Sequence, residues 1–228
     1  MILSFEENII YNMNNIIYLW RFKPNEKKYF PQDVVINNLK YIANYKIINN
    51  PSIIVNFIIN NNNIFPDLLE IYNKIPHWVI KTDVGRLLAV YLNGGLYVDS
   101  DCFIKKKLDK HNDTHNIILF IENKCKSVNE LGKRECKNPE NLVRIANFCF
   151  GSKTKNNPFL KEVIEECINR LKKLLIIEKK TNFSHEDILW VCGPDVITTI
   201  YHKSKNKYND IFLYDNTYLN HKCNSSWR

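Results

Sequence analysis

An α/β fold with a mostly parallel central sheet flanked by helices is what this sequence predicts, on three observations. Short apolar runs alternate with longer stretches of helical periodicity along the whole chain. Asn157-Pro158 opens an apolar stripe at helical spacing: Phe159, Leu160, Val163, Ile164, Cys167, Ile168, Leu171, Leu174 and Leu175. The run Gly94-Gly95-Leu96-Tyr97-Val98-Asp99-Ser100-Asp101 puts two acids at the end of a short apolar strand, the edge at which open α/β sheets bind ligands.

Taken in order, residues 16–20 read as the first buried strand. Pro31 opens a helix predicted over 31–45, with Val34, Val35, Leu39 and Ile42 on one side. The β-branched run 52–59 reads as a second central strand, 60–63 as a polar turn and 67–72 as a short helix. Thr82 is the expected N-cap of a helix that carries Val84, Leu87, Leu88 and Tyr91. That helix stops at Asn93, with Gly94 suited to a left-handed cap, and the strand 96–99 follows. Further strands are expected at 116–121, 145–150 and 211–214, and a helix from Pro194 to about residue 201. The charged, irregular stretch 124–141 reads as a lid or insertion. No repeat or linker interrupts residues 1–228, which read as a single domain.

A net charge of +8 and a pI near 9.0 favour anionic partners: nucleotides, acidic lipids or nucleic acid. The basic runs 105–110 and 172–180 lack interleaved aromatics and read as solvated faces, so no nucleic-acid partner is expected. Seven cysteines without a CxxC pair argue against a zinc knuckle and read as reduced thiols. No apolar run is long enough to span a membrane, and the first residues lack the pattern of a signal peptide. A cytoplasmic location is therefore expected. The sequons at Asn112, Asn182 and Asn224 then carry no glycan. Richness in Asn, Ile and Lys, with no anchor, fits a viral or microbial protein, in the first case one working in the host cytoplasm.

The chemistry centres on the two acids. Strand alternation puts Leu96 and Val98 on one face and Tyr97, Asp99 and Asp101 on the other. Two carboxylates side by side stay ionised when a cation lies between them, and carboxylate oxygens suit Mg²⁺ or Mn²⁺. Such an ion usually completes its shell with water and substrate phosphates. Asp83 and Arg86, three apart on one helix face, are carried toward the same edge.

The stretch Thr82-Asp83-Val84-Gly85-Arg86, followed by Tyr91-Leu92-Asn93-Gly94-Gly95-Leu96-Tyr97-Val98-Asp99-Ser100-Asp101, resembles the DxxR, double-glycine and DxD pattern of a glycosyltransferase family. This family 32-like group holds mannosyl- and α-1,4-galactosyltransferases and shares its core with the large clostridial glucosylating toxins. Ile16-Ile17-Tyr18-Leu19-Trp20 is similar to the family's opening strand. Cys192-Gly193-Pro194 is similar to its TGP turn, and the segment from His221 to Trp227 to its terminal HxxxGSW. Tyr18, Cys192 and Ser225 depart from the family's His, Thr and Gly.

The resemblance implies a GT-A-like nucleotide-sugar-binding fold and transfer of a sugar, with retention, from a nucleoside diphosphate to a hydroxyl. The donor would be UDP- or GDP-linked; the acceptor would be a glycan, protein or lipid. Asp83, Arg86 and Asp101 would be catalytic. Trp20, Asp83, Arg86, Tyr97, Asp99, Asn224, Ser226 and Trp227 would bind the donor. Asp99, Asp101 and His221 would hold Mn²⁺ or Mg²⁺, and residues 215–228 would form a flap over the diphosphate. Two alternatives stand beside this reading. One is a phosphatase using Asp99 as nucleophile; the other is a sugar- or nucleic-acid-binding module without catalysis.

Overall fold

The computed structural model describes residues 15–23, 25, 29–110, 113–125 and 143–222. Six strands form the central sheet: β1 (Asn15–Leu19), β2 (Asn44–Ile48), β3 (Gly95–Val98), β5 (Ile117–Lys124), β6 (Val143–Ser152) and β7 (Ile211–Tyr214), in the order β2-β1-β3-β6-β5-β7. β1 is parallel to β2 and β3, and β5 to β7; β6 runs against both β3 and β5. Five strands therefore share one direction, and the fold is α/β with a mixed, mostly parallel sheet. A separate two-stranded ladder joins β4 (Cys102–Ile104) to β8 (Leu219–His221).

Period-two alternation divides the sheet's side chains between two cores. Ile17, Leu19, Tyr97, Ile117 and Leu119 face one side. There they meet α2 (Pro51–Asn60), α3 (Leu68–Lys74), α4 (Trp78–Asn93), α5 (Pro158–Lys172), α6 (His185–Val191) and α7 (Pro194–Ser204). Ile16, Tyr18, Leu96, Val98, Ile118 and Phe120 face the other side, which is covered by α1 (Gln32–Asn38), β4 and β8. The expected split of Leu96 and Val98 from Tyr97 is what the sheet shows. Asn157 caps α5 as its sequence predicts, accepting the Phe159 N–H at 2.9 Å. Leu174 and Leu175 fall in a π-helical extension, Lys173–Ile177.

Three elements differ from their sequence expectation. The run 52–59 is not a strand but most of α2. Asn50 accepts the Ser52 N–H at 2.9 Å, Pro51 sits in the first turn, and the buried side chains are Ile54 and Ile58, four apart. Cap and spacing prevail over β-branched content. The second parallel strand is instead β2, because α1 ends at Asn38, whose amide is drawn into the core, and residues 44–48 pair with β1. Thr82 does not cap α4. His77 does, and the Thr82 hydroxyl donates to the Trp78 carbonyl inside the helix at 3.0 Å. α6 lacks an apolar pattern long enough to announce it; a Ser184–Asp187 capping box starts it.

The turn from α4 into β3 demands glycine. Gly95 has φ +92°, and a Cβ there would lie 2.9 Å from the Asn15 carbonyl oxygen of β1. Gly95→Ala is expected to lose about 1–3 kcal/mol of folding stability, read as a lower urea midpoint. An unchanged midpoint would show that the turn tolerates a side chain.

Candidate active site

Helix α4 and strand β3 run back to back, and their different rises bring Arg86 level with Asp99. Eight residues of helix cover about 12 Å, and four residues of strand about 13 Å. The Arg86 guanidinium pairs with Asp83 at 2.7 Å and with Asp99 at 3.3 Å. It donates to the Asn147 carbonyl of β6 at 2.9 Å and lies over the Tyr97 ring at 4.9 Å. The Tyr97 hydroxyl donates a short hydrogen bond to Asp99. Asp83, Arg86 and Tyr97 are buried, while Asp99 and Asp101 are partly open to solvent.

A tight turn separates the two acids of the DxD: the Cys102 N–H bonds the Asp99 carbonyl at 3.0 Å. β4 then pairs antiparallel with β8, setting Cys102 opposite His221. This ladder carries the imidazole from the far end of the chain to the acidic pair. His221 Nε2 lies 3.1 Å from Asp101 and 3.8 Å from Asp99. Its ring stacks on Phe148, with centroids 4.0 Å apart and planes at 21°.

Burial pushes the Asp83 carboxyl up to about 7; Arg86 pulls it down and Asp99 adds to the rise. Burial works against the charge on Arg86, but Asp83, Asp99, Tyr97 and Asp101 together raise its pKa, so it stays a cation. Burial likewise opposes charge on His221. The hydrogen bond to Asp101 and the fields of Asp99, Asp101 and Glu122 nonetheless lift it above the ordinary histidine value.

Residues 24–119 match the family model of the glycosyltransferase sugar-binding region containing the DXD motif. That segment is similar to the sugar-binding region of the DXD-motif glycosyltransferases. The segment spans somewhat under half of the protein and contains Asp83, Arg86, Tyr97, Asp99 and Asp101; His221 and Phe148 lie beyond it. No curated protein sequence matches the chain. Among solved structures it is similar to the PaToxG glycosyltransferase, at 15% identity and TM-score 0.48, over 84% of this chain and 69% of that one. It is also similar to a transferase bearing two cysteine-to-serine substitutions, at 15% identity and TM-score 0.41, over 91% of this chain and 94% of that one.

Asp99, Asp101 and His221 form a group that could hold a divalent ion. One ligand atom each from Asp99, Asp101 and His221 lies within 4.8 Å of the other two. Two ligands held about 2.1 Å from one ion are at most about 4.2 Å apart. The 3.1 and 3.8 Å separations from His221 fall inside that span. Two carboxylate oxygens with an imidazole suit Mn²⁺, and the oxygens alone suit Mg²⁺.

Of the sequence-predicted residues, Asp83, Arg86, Tyr97, Asp99, Asp101 and His221 converge. Trp20 follows β1 at the same sheet edge and packs edge-on against Phe30 at 5.1 Å. Asn224, Ser226 and Trp227 lie outside the described residues, as do residues 126–141 of the expected lid. Asn147 and Phe148 escape sequence reasoning. They sit in an apolar strand that reads as plain core, and only the β3–β6 register brings them to the acids.

In chelator, the His221–Asp101 contact stabilises the fold while the imidazole is protonated. Since the folded pKa is the higher one, this contribution is full below pH about 6.5 and is lost as pH rises through the raised value. Thermal midpoints measured in EDTA should therefore fall across that window in the native protein and fall less in His221→Gln. Identical slopes would remove His221 from the acidic cluster.

Proposed function

We propose that this protein is a metal-dependent glycosyltransferase of GT-A-like architecture, moving a sugar from a nucleoside diphosphate to a hydroxyl acceptor with retention of configuration. One observation carries the reading. The family-matched DxD lies at the carboxyl edge of the sheet, where its two acids and His221 come within ligand distance of one another. Asp83 and Asp99 share one guanidinium, and Asp99 and Asp101 share one imidazole, so three carboxylates meet two basic side chains. A divalent ion held there would balance the acids' charge and would supply an anchor for the donor's diphosphate.

Asp99, Asp101 and His221 would hold Mn²⁺ or Mg²⁺, which as a Lewis acid neutralises charge on the departing nucleoside diphosphate. The remaining chemistry belongs to the chain. Arg86 holds Asp99 in place, and its buried Nε–H has no hydrogen-bond partner among the described residues. That cation supplies positive potential beside the leaving phosphate. Asp83 orients donor sugar or ribose hydroxyls, Tyr97 floors the pocket, and Trp20 offers an aromatic face for the base. Asn224, Ser226 and Trp227 belong to the proposed flap over the diphosphate. Retention follows from attack on the face the nucleotide leaves, with the departing phosphate accepting the acceptor's proton. The donor is UDP- or GDP-linked, and a glycan, protein or lipid hydroxyl accepts the sugar. Tyr97 and Arg86 both engage Asp99 Oδ1, which leaves Oδ2 on the side of His221.

Asp101→Asn is expected to cut Mn²⁺-dependent hydrolysis of the preferred nucleotide sugar by about 100-fold or more, while the thermal midpoint in chelator, taken at a pH where His221 is neutral, changes little. Hydrolysis at the native rate would contradict the proposal. Arg86→Lys keeps the charge but loses the fork that spans Asp83 and Asp99. It should lower kcat more than it raises KM, whereas a change in KM alone would confine Arg86 to donor binding.

A further inference from the structure

We propose that Phe148 is a positioning residue that holds both halves of the Asp99–Asp101–His221 cluster, its backbone fixing Asp99 and its ring fixing His221. The inference rests on reading that cluster as a metal site. At the end of the β3–β6 ladder, one step beyond the Val98↔Cys149 pair, the Phe148 carbonyl accepts the Asp99 N–H at 2.8 Å. This bond sets the backbone from which the first acid projects. The Phe148 side chain meanwhile lies face to face with the His221 imidazole, centroids 4.0 Å apart and planes 21° from parallel.

The imidazole needs such a support. His221 ends a strand of three residues whose ladder partner, β4, is equally short. Backbone pairing locates its Cα but leaves the side-chain torsions free. Phe148 is 9% exposed and belongs to the core cluster that includes side chains of β1, β3, β4 and β5, which restrains its ring more than the half-buried histidine. With one face of the imidazole covered, its Nε2 edge is left toward Asp101 and Asp99. A ligand already oriented loses less freedom when an ion arrives. An aliphatic side chain at 148 would fill the volume without offering a flat face. It would also leave the carbonyl bond to Asp99 intact, so substitution isolates the ring's share.

The test is titration of the metal-free, full-length protein with Mn²⁺, following the free-ion signal by electron paramagnetic resonance. Phe148→Leu and Phe148→Met should weaken Mn²⁺ binding by about three- to tenfold, the worth of one aromatic stack, and Phe148→Tyr should stay within about twofold of native. In the metal-free state, the His221 ring protons should show an upfield ring-current shift that the Leu and Met variants lose and the Tyr variant keeps. If either aliphatic variant folds and binds Mn²⁺ as the native protein does, the positioning role falls and the metal site stands. If the native protein binds no Mn²⁺, both readings fall together.

Discussion

One buried guanidinium ties the site together. Arg86 reaches from α4 to Asp83 on its own helix, to Asp99 past the end of β3 and to a β6 carbonyl, over the ring of Tyr97. A charge this deep is tolerated only when paired on most of its polar edge. Its partners include Asp83 and Asp99, acids of the proposed site. The constraint runs both ways: without the acids the cation would be stranded, and without the cation Asp83 and Asp99 would repel in a low-dielectric pocket. Stability of the sheet edge and readiness of the site therefore depend on the same contacts.

The second half of the site comes from outside the main sheet. His221 is far from Asp101 in sequence and reaches it through the three-residue β4–β8 ladder. The other edge of β4 is held by α1. The fully buried Asn38 amide donates to the Cys102 carbonyl at 3.1 Å and accepts the Ile104 N–H at 2.8 Å, standing in for a neighbouring strand. It also donates to the Tyr18 hydroxyl at 2.9 Å. Tyr18, where the resembling families carry histidine, thus serves the core here, and burial pushes its hydroxyl up to about 12.

The sequence made the site more legible than the elements around it. The DxxR–GG–DxD spacing encodes a helix, a glycine turn and a strand whose lengths bring Arg86 and Asp99 level, so motif and geometry are one statement. The run 52–59 misleads because isoleucine and valine serve a strand or a buried helix face equally. The deciding signals, Asn50 and Pro51, lie just ahead of it. Thr82 looks like a cap by composition, but the helix begins where Pro76 ends the preceding turn and His77 offers a ring nitrogen. Phe148 and Asn147 carry no local signal at all. Their part in the site follows from strand register, which depends on the whole sheet.

The account stands or falls on a divalent ion at the acidic pair. Anomalous diffraction from crystals grown with Mn²⁺ and a nucleoside diphosphate measures this directly. The predicted result is a manganese peak at Asp99, Asp101 and His221, with the diphosphate beside it. A nucleotide bound at this edge with no manganese peak, or a peak elsewhere on the protein, would contradict it.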